Sequence, residues 1–458
     1  MSEHQILVDL PGLDRLMAQP AHTLNLEPVQ YSLLTRVFGG VDTPELKEKM
    51  VKSIKELGPP IERLFLNEAA ATAAVERAGI GEHAASFVTF CTDPGRMKRW
   101  ELSSNVQVVK PDSPGSSGMV EADLQSLVRD FGFCMAVPQL YGKDFLERNP
   151  ELLNDFWKFD NDLFPLLMIG MPSWAPLNII REGRASRSRL MAALETVYRQ
   201  VDKVQQGEPA DPEYDVSDVS FVLFEKNKIF ARDGWSLAER AVADMPILWG
   251  QNANTQPLLF WFLTYAYSTP GLISRIRKEI APFVKLSDTN PRCISSLDIH
   301  ALAKTCPLLK STVFETYRLT DEAASIRYLE RPITIKDGSL THSLKQGTWI
   351  SVPHSVTSHD ASVFAEPEKF IPERFLETDS EGRPVARYGR LRPWGAGAAM
   401  CKGRTFAERE ILAVGAAIIS LWDIEQVGGT WRLPDMIPGT GVKKPVKDIR
   451  VRITRRCT

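Results

Sequence analysis

Residues 392–410 read RPWGAGAAMCKGRTFAERE and place one cysteine, Cys401, between a loop of small residues and a run with helical periodicity. A cysteine at the start of a helix lies among unpaired backbone N–H groups and near the positive end of the helix dipole, and both lower the pKa of a thiol. Lys402 and Arg404 add positive charge beside it. Cys401 is therefore a candidate thiolate, as a metal ligand or as a nucleophile, although a buried structural cysteine fits these residues equally well.

The glycines of this loop suggest a close approach to a flat, bulky group, because Gly395, Gly397 and Gly403 carry no Cβ. A nucleophilic cysteine would need a histidine base, and none of the seven histidines lies next to Cys401 in the sequence. Such partners meet only in the fold, so the sequence leaves this alternative open.

The composition is that of a globular protein, with 458 residues, 43% of them hydrophobic and 24% charged, and a net charge of −2. This balance gives no overall basic field, so we expect no nucleic-acid partner. The six cysteines are scattered without a CxxC pair, which argues against a zinc site or a disulfide framework. No run reaches the roughly 18 apolar residues of a membrane span, and the first thirty residues lack a secretory signal. We expect this chain to be soluble or peripheral.

The periodicity of the chain is mostly helical up to residue 320, and short strands with turns follow it. Helical periodicity returns after Cys401. These patterns predict a mainly α fold with a minor, late β part, in one large domain spanning residues 1–458. Residues 236–269 are interpreted as one long helix, which Pro246 and Pro257 should kink.

Two further stretches change the interpretation of Cys401. Glu315 and Arg318 stand at i and i+3 in FETYR, a pair that by itself indicates only a surface ion pair. Residues 358–375, SHDASVFAEPEKFIPERF, contain Arg374 in a PERF segment. Together with the cysteine loop, and in this order, these motifs resemble those of cytochrome P450, the haem–thiolate monooxygenase family. The chain looks nearest to the sterol-hydroxylase and prostacyclin-synthase-like branch, and it is also similar to enzymes of fungal secondary metabolism.

The resemblance implies a cytochrome P450 fold that binds haem b, with Cys401 as the axial thiolate on its iron. The haem-binding loop of the family is matched by Trp394, Gly397, Cys401 and Gly403. Trp394 stands where the family usually has phenylalanine, and its indole N–H is a donor that would tune the thiolate. The structural triad of the family is matched by Glu315, Arg318 and Arg374.

Two departures from the family pattern concern the haem propionates. Ala399 stands in place of the arginine that commonly binds a propionate, and Arg327 occupies a position where the family often has another propionate-binding arginine. A guanidinium suits a carboxylate because it offers a forked pair of donors. The helix C signature WxxxR is not evident, and Lys49 or Lys52 is a weak substitute for it.

The resemblance places the oxygen-activating helix at WGQNANTQP, residues 249–257. Thr255 matches the catalytic threonine, and Asn254 replaces the usual acid, so this position can hold a water but cannot supply a proton by ionising. An isomerase or dehydratase using the same haem is therefore an alternative, and a capped helix break before Pro257 is a structural one. The expected substrate pocket comprises Trp249, Asn252, Ala253, Ala323, Ala324 and Ile326.

The resemblance also implies the partners. The substrate should be hydrophobic and fairly large, such as a sterol, terpenoid or polyketide, and electrons should come from an NADPH-dependent flavoprotein reductase because no flavin or nicotinamide fingerprint is present. A non-catalytic haem-binding protein is a further alternative. The expected reductase-docking face is a basic cluster of Arg387, Arg390, Arg392, Lys402, Arg404 and Arg409.

The family resemblance also bears on the membrane. The apolar run 164–180 falls where the family has a lid that can touch membrane, although ordinary core is an equal alternative. The chain begins with a strand and helix that resemble those before the variable region of the family, so we expect the N-terminal anchor and the first strands to be missing. A full-length form would reside at the endoplasmic reticulum membrane.

Overall fold

The computed structural model describes residues 3–8, 12–109 and 118–456. Helices account for about half of these residues and strands for a minor part, and the prediction of a mainly α fold is confirmed. The first helices are α1 (Leu13–Met17), α2 (Glu27–Arg36), α3 (Pro44–Phe65), α4 (Glu68–Arg77), α5 (Ile80–Ala85), α6 (Leu124–Ala136), α7 (Pro138–Tyr141), α8 (Lys143–Glu147), α9 (Leu152–Lys158) and α10 (Phe164–Met168). The later helices are α11 (Asn178–Gln205), α12 (Phe221–Arg232), α13 (Leu237–Asn252), α14 (Thr255–Ser268), α15 (Leu272–Ile280), α16 (Ile299–Thr305), α17 (Pro307–Thr320), α18 (His354–Ser358) and α19 (Arg404–Leu421). A π-helical stretch, Phe159–Leu163, joins α9 to α10.

The strands are short. Those before residue 320 are β1 (His4–Ile6), β2 (Leu24–Asn25), β3 (Gln107–Val109), β4 (Met119–Asp123), β5 (Val284–Leu286) and β6 (Ile294–Leu297). Those after it are β7 (Ala324–Leu329), β8 (Ile333–Asp337), β9 (Leu340–Leu344), β10 (Trp349–Pro353), β11 (Leu376–Thr378), β12 (Pro384–Ala386), β13 (Trp422–Gln426), β14 (Met436–Ile437), β15 (Lys444–Pro445) and β16 (Arg450–Arg455).

The sheets join the two ends of the chain. One four-stranded sheet has the order β1-β10-β7-β2, and the other has the order β13-β16-β4-β3. The periodicity predicted a late sheet and an early strand; the two sheets combine β1, β2 and β4 with strands from the last third of the chain. In the first sheet β10 and β7 run antiparallel, with Ile350 opposite Arg327. This register determines which residues of β7 face the cysteine loop.

The region predicted as one long helix forms two helices. A capping box between Ser236 and Glu239 starts α13, which contains Pro246 without ending there. The chain breaks after Asn252 and restarts as α14 at Thr255. Pro257 explains the break, since it has no N–H to donate to the carbonyl of Ala253 four residues earlier.

The core lies between α14, α17 and α19, whose inward faces are largely apolar. Gly415 of α19 packs against the ring of Phe262 on α14, and a Cβ at Gly415 would lie 2.5 Å from Cε1 of that ring. Cys134 and Cys306 are buried in the same core, and burial raises the pKa of both thiols to about 12. These two cysteines are inert apolar side chains.

The apolar run 164–180 lies partly on the surface. The connection between α10 and α11 exposes 78% of Ile169 and 75% of Trp174, while Phe164 and Leu167 remain buried. Ordinary core therefore describes only the start of this run. Within the described ranges, every helix is too short or too polar to cross a bilayer.

The close approach of α14 and α19 predicts a stability difference between two glycines. Gly415→Ala should lower the free energy of unfolding by about 1–3 kcal/mol, because its Cβ overpacks the core against Phe262. Gly250→Ala is the matched control, since Gly250 lies on α13 with no neighbour within 4 Å of a Cβ. It should raise stability by about 0.5–1 kcal/mol. Urea unfolding monitored by circular dichroism measures both, and equal effects would contradict the packing argument.

Candidate functional site

The Cys401 loop is closed by its own backbone. The Cys401 N–H donates to the carbonyl of Trp394 across 2.9 Å, and Arg404 at the start of α19 donates to the carbonyl of Cys401. Cys401 is exposed, yet the surrounding protein removes enough water to raise the pKa of its thiol. The N–H groups of Gly403 and Arg404 and the Arg404 charge act in the opposite direction but do not prevail. The expectation of a low thiol pKa is wrong for the free cysteine. A coordinating metal would displace the proton instead.

Trp394 is fixed by aromatic neighbours. Its indole N–H donates to the Tyr388 hydroxyl at 3.1 Å, and the Tyr388 hydroxyl donates to Glu408 at 3.0 Å. Tyr317 of α17 meets the indole edge-on, with ring centroids 5.0 Å apart. The indole N–H therefore bonds to Tyr388, and the predicted hydrogen bond to the Cys401 sulfur is not formed.

Gly397 and Gly403 of the loop are glycines for different physical reasons. Gly397 has a φ of 73°, and the backbone carbonyl of Met17 on α1 leaves no room for a Cβ there. Gly403 has ordinary helical geometry, and a Cβ on it would lie 3.7 Å from the Cys401 sulfur. The predicted reason, access of a flat group to the backbone, thus suits Gly403, whereas Gly397 is required by protein packing.

Strand β7 clamps the loop through Ala396. The Ala396 N–H donates to Ser325 Oγ at 3.1 Å, and its carbonyl accepts from Arg327 at 3.1 Å. His354 Nε2 lies 2.9 Å from the same Ser325 oxygen. Arg327 is 5% exposed, burial lowers its pKa, and no carboxylate of the described chain pairs with it. A buried guanidinium with an uncompensated charge beside the cysteine loop is suited to an acidic group of a ligand.

The structure brings the predicted triad together. Glu315 accepts from Arg318 at 2.8 Å with both oxygens and from Arg374 at 3.0 Å. Arg318 also donates to the carbonyls of Ser358, Pro367 and Lys369. All of Glu315 and Arg318 is buried. This network fastens segment 358–375 to α17 and carries no exposed reactive atom.

The predicted catalytic pair lies at the helix break. Asn254 is the N-cap residue of α14 but makes no side-chain capping bond, so the capping alternative is not supported. Its Oδ1 is buried without a donor among the described residues, and Gly441 is packed against it so closely that a Cβ would not fit. Thr255 is buried at the first position of α14.

The predicted pocket residues do not all turn to one side. The Trp249 indole donates to Asp160 at 2.9 Å and stacks on Phe164 with centroids 4.5 Å apart. The Asn252 amide donates back to the Leu248 carbonyl. The remaining predicted pocket residues are Ala253, which is buried, Ala323, which is half-buried, and Ala324 and Ile326, which share the less buried face of β7.

Sequence reasoning missed the loop 438–445, which covers the helix break. Asp160 of the π-helical stretch is fully buried and accepts from Thr440 at 2.9 Å and from Lys444 at 2.6 Å. The Lys443 N–H donates to the Thr320 carbonyl at 2.7 Å, which ties the loop to the end of α17. The only sequence signal was the turn-rich stretch PGTGVKK, which predicts no partner.

Sequence reasoning also missed a buried acid. Glu410 of α19 lies 3.3 Å from the side-chain nitrogen of Gln256 on α14, and burial raises the pKa of Glu410 to about 8. The run of charged residues in which Glu410 stands gave no sign that its side chain is buried.

The predicted basic face is largely neutralised. Arg409 is buried and pairs with Glu68 and Glu408, so its placement on a docking surface is wrong. Lys402 pairs with Glu62 at 2.8 Å. Similar ion pairs join Arg387 to Glu377 and Arg392 to Asp14. A concavity of about 610 Å³ opens beside these residues and is lined by Trp394, Met400 and Arg404.

The two lysines proposed near a propionate lie elsewhere. Lys49 pairs with Glu239 at the start of α13, and Lys52 pairs with Asp233 just before it. The length of α13, about 1.5 Å for each residue, puts Lys49 about 20 Å from the helix break. The structure does not bring either lysine to the cysteine loop.

Comparisons with known proteins agree with this arrangement. A family model described as cytochrome P450 matches residues 140–450. The chain is 27% identical over 396 residues to the cytochrome P450 monooxygenase efuG of Hormonema carpetanum, covering 78% of this chain and 69% of that protein. It is 24% identical to the 25-hydroxycholesterol 7-alpha-hydroxylase of Rattus norvegicus, covering 65% of this chain and 72% of that protein.

A solved structure gives the same fold. Retinoic acid-bound CYP120A1, a cyanobacterial protein, superposes with a TM-score of 0.66 at 18% identity, covering 98% of this chain and 89% of that one. The chain spans between 58% and 69% of the length of several curated relatives that it matches.

The buried triad predicts a large loss of stability on truncation. Arg318→Met should cost about 3–5 kcal/mol, because it leaves Arg374 as the one charged partner of Glu315 among the described residues and removes the donor of three carbonyls. Arg383→Met is the control, since Arg383 is exposed and pairs with Asp379 on the surface. Its effect should be within about 1 kcal/mol. Chemical unfolding distinguishes the two, and a small loss for Arg318→Met would contradict the network.

His354 predicts a dependence of stability on pH. Burial, with the charge of Arg392, lowers the pKa of His354 to about 4 from its usual 6.5. The unfolded chain therefore binds the extra proton first, so stability present above pH 6.5 is lost as the pH falls toward 4. The loss should be about 3 kcal/mol and should be absent in His354→Gln. The measurement is the midpoint of chemical unfolding at several pH values between 6.5 and 4. If the midpoint falls by the same amount in wild type and in His354→Gln, the prediction is wrong.

Proposed function

The chain belongs to the cytochrome P450 family, and on that premise we propose that it is a haem-dependent monooxygenase of a large hydrophobic substrate. The observation that carries the proposal is the pairing of an accessible cysteine with a buried, uncompensated guanidinium. Cys401 is exposed just before α19, and Arg327 donates to the carbonyl of Ala396 in the same loop. A candidate iron ligand on the loop and a candidate partner for a propionate on the adjoining strand β7 support the proposal.

The residues present fit the cofactor that the family and fold imply, haem b with an axial cysteine thiolate. Cys401 would bind the iron, Arg327 would pair with a propionate, and Gly403 would leave one flank of the sulfur without a side chain. Trp394 would hold the loop in place through its carbonyl. When bound, haem b supplies the activation of O2 that inserts one oxygen atom into a C–H or C=C bond.

Thr255 and Asn254 would act on the substrate side of the site. The Thr255 hydroxyl and the unpartnered Asn254 Oδ1 are both able to hold and orient a water at the helix break. An amide does not ionise, so Asn254 would position a proton carrier without being its source. This observation favours one second candidate, an isomerase or dehydratase that rearranges an oxygenated substrate without a reductase.

Two observations support a substrate class: the aromatic residues near the helix break and the names of the relatives. Trp249 stacks on Phe164 and meets Phe38 edge-on, so the surroundings of the helix break are aromatic, which suits a flat or branched hydrocarbon. The relatives include an oxysterol hydroxylase and a fungal monooxygenase. We place the substrate among sterols, terpenoids and polyketides, bound against the predicted pocket residues.

The partners follow from the same reaction. Electrons would come from an NADPH-dependent flavoprotein reductase that docks near the cysteine loop, on the mixed-charge surface around Arg387 and Arg404. The exposed Ile169 and Trp174, with Arg181 next along α11, would rest on a membrane surface. A protein of this kind would work at the endoplasmic reticulum membrane.

The proposal predicts the spectrum of the reduced, CO-bound protein. Wild type loaded with haem should show the red-shifted Soret band of thiolate ligation, and Cys401→Ser should lose that band. Arg327→Met should keep the band but release haem faster to a haem acceptor, because the propionate loses its charged partner. Absence of the band in folded, haem-loaded wild type would overturn the assignment of Cys401.

Turnover separates the candidate functions. Product formation that requires NADPH, reductase and O2 supports the monooxygenase. Product formed from an oxygenated substrate without reductase would support the rearrangement reaction. Substrate-induced spectral shifts without any product would indicate a haem-binding protein.

A further inference from the structure

A half-buried guanidinium lies between α11 and the loop 37–43, which joins α2 to α3. Arg187 of α11 donates from Nη1 to the carbonyl of Val37 across 2.7 Å. Its Nε–H is buried and has no acceptor among the described residues. Buried donors are nearly always hydrogen-bonded in native proteins, so the position of Arg187 requires an explanation.

The charge of Arg187 has no acidic partner in the described chain. Burial, and after it the charge of Arg184 one turn earlier on α11, lowers the pKa of Arg187 to about 10. The guanidinium is therefore still charged at neutral pH. Acids of α11, of α9 and of loop 37–43 face other groups, namely Glu182 on Lys158, Asp155 on Arg189 and Asp42 on Tyr31. The charge of Arg187 is thus available to an anion.

Gly39 makes space beside the guanidinium. Its φ is 97°, and a Cβ on it would lie 3.2 Å from Arg187 Nε and 3.1 Å from Met191 Sδ. A larger residue would press on both side chains. The thioether of Met191 has several rotatable bonds, so it can move aside for an incoming polar atom.

Phe38 connects this charge to the region proposed to hold the substrate. It stands between Val37 and Gly39, the two loop residues that adjoin the guanidinium. Its ring meets those of Phe164 and Trp249, with centroids 5.9 and 6.1 Å away. Trp249 lies in the last turn of α13, directly before the helix break. The charge therefore borders one end of an aromatic region whose other end is the helix break.

We propose that Arg187 binds the carboxylate of the substrate, which makes the substrate a large hydrophobic carboxylic acid. The inference rests on the proposed monooxygenase function, whose substrate it specifies. A carboxylate fits because it is planar, accepts a forked pair of N–H bonds from one guanidinium and supplies the opposite charge. The apolar body then extends along the aromatic residues toward the helix break, so oxidation falls at the end of the molecule remote from the acid.

The first experiment compares acids with their methyl esters, which keep the apolar body and lose the charge. The probes are 5β-cholanic acid, oleanolic acid and palmitic acid, each with its methyl ester, in equilibrium dialysis against haem-loaded wild type. At least one acid should bind about 10–100-fold more tightly than its ester, the range expected for hydrogen bonds between charged groups.

The second experiment assigns this preference to Arg187. Arg187→Met keeps the length of the side chain and should reduce the affinity for the acid to that for the ester, while ester binding stays unchanged. Arg187→Lys should restore part of the preference, because it keeps the charge but loses the forked donors. Arg199→Met is the matched control, since Arg199 is exposed on the same helix, and it should keep the wild-type ratio.

Each outcome bears on one conclusion. Equal affinity for acids and esters in wild type, or binding of none of the acids, would overturn the role of Arg187, and this result needs no variant if Arg187→Met does not fold. A preference for acids that persists in Arg187→Met or Arg187→Lys at the full wild-type ratio would assign the carboxylate to another group and would also overturn it.

Failure of the proposed function would look different. Acid binding that depends on Arg187, without any product in the presence of NADPH, reductase and O2, would overturn the monooxygenase and leave the binding site in place. Oxidation of an ester that binds as tightly as its acid would do the reverse.

Discussion

The buried charge of Glu315 is the constraint on which the rest of the site depends. A carboxylate with no exposure is tolerated only when it is paired and fully hydrogen-bonded. Arg318 and Arg374 meet that requirement, and Arg318 uses its remaining donors on carbonyls of segment 358–375. The segment leads into the cysteine loop, whose Trp394 packs on Tyr317 of the same helix. Pairing the Glu315 charge thus fixes the position of α17 and of segment 358–375, and the cysteine loop packs against this part of the structure.

The sequence predicted features whose chemistry is local. Glu315 and Arg318 share a helix face because of their spacing, and Pro257 disrupts α14 at its start through a donor that it lacks. Cys401 stands before a helix because the apolar periodicity of α19 begins just after it. Each of these conclusions needs only a few neighbouring residues, and the structure agrees with all three placements.

The sequence failed where a residue's role is decided by a distant partner. The sequence predicts that Gly397 makes room for a ligand, but the residue it makes room for is Met17. It predicts a hydrogen bond from the Trp394 indole to the Cys401 sulfur, but the indole donates to Tyr388. Arg409 was assigned to the surface, yet it is buried against Glu68. No local pattern encodes these contacts. The same holds for Gln256, whose meeting with α6 and α19 depends on how three helices are packed.

The contact between α1 and the cysteine loop has a consequence for the order of assembly. Gly397 reaches its final conformation against Met17, and β1 pairs with β10, so the earliest and latest parts of the chain complete this region together. Contacts of such long sequence separation form slowly. During synthesis the first helix emerges from the ribosome long before its partner exists. The cysteine loop can therefore complete its packing only after residues on both sides of that contact have been synthesised, so a cofactor that needs the finished loop would bind late in folding.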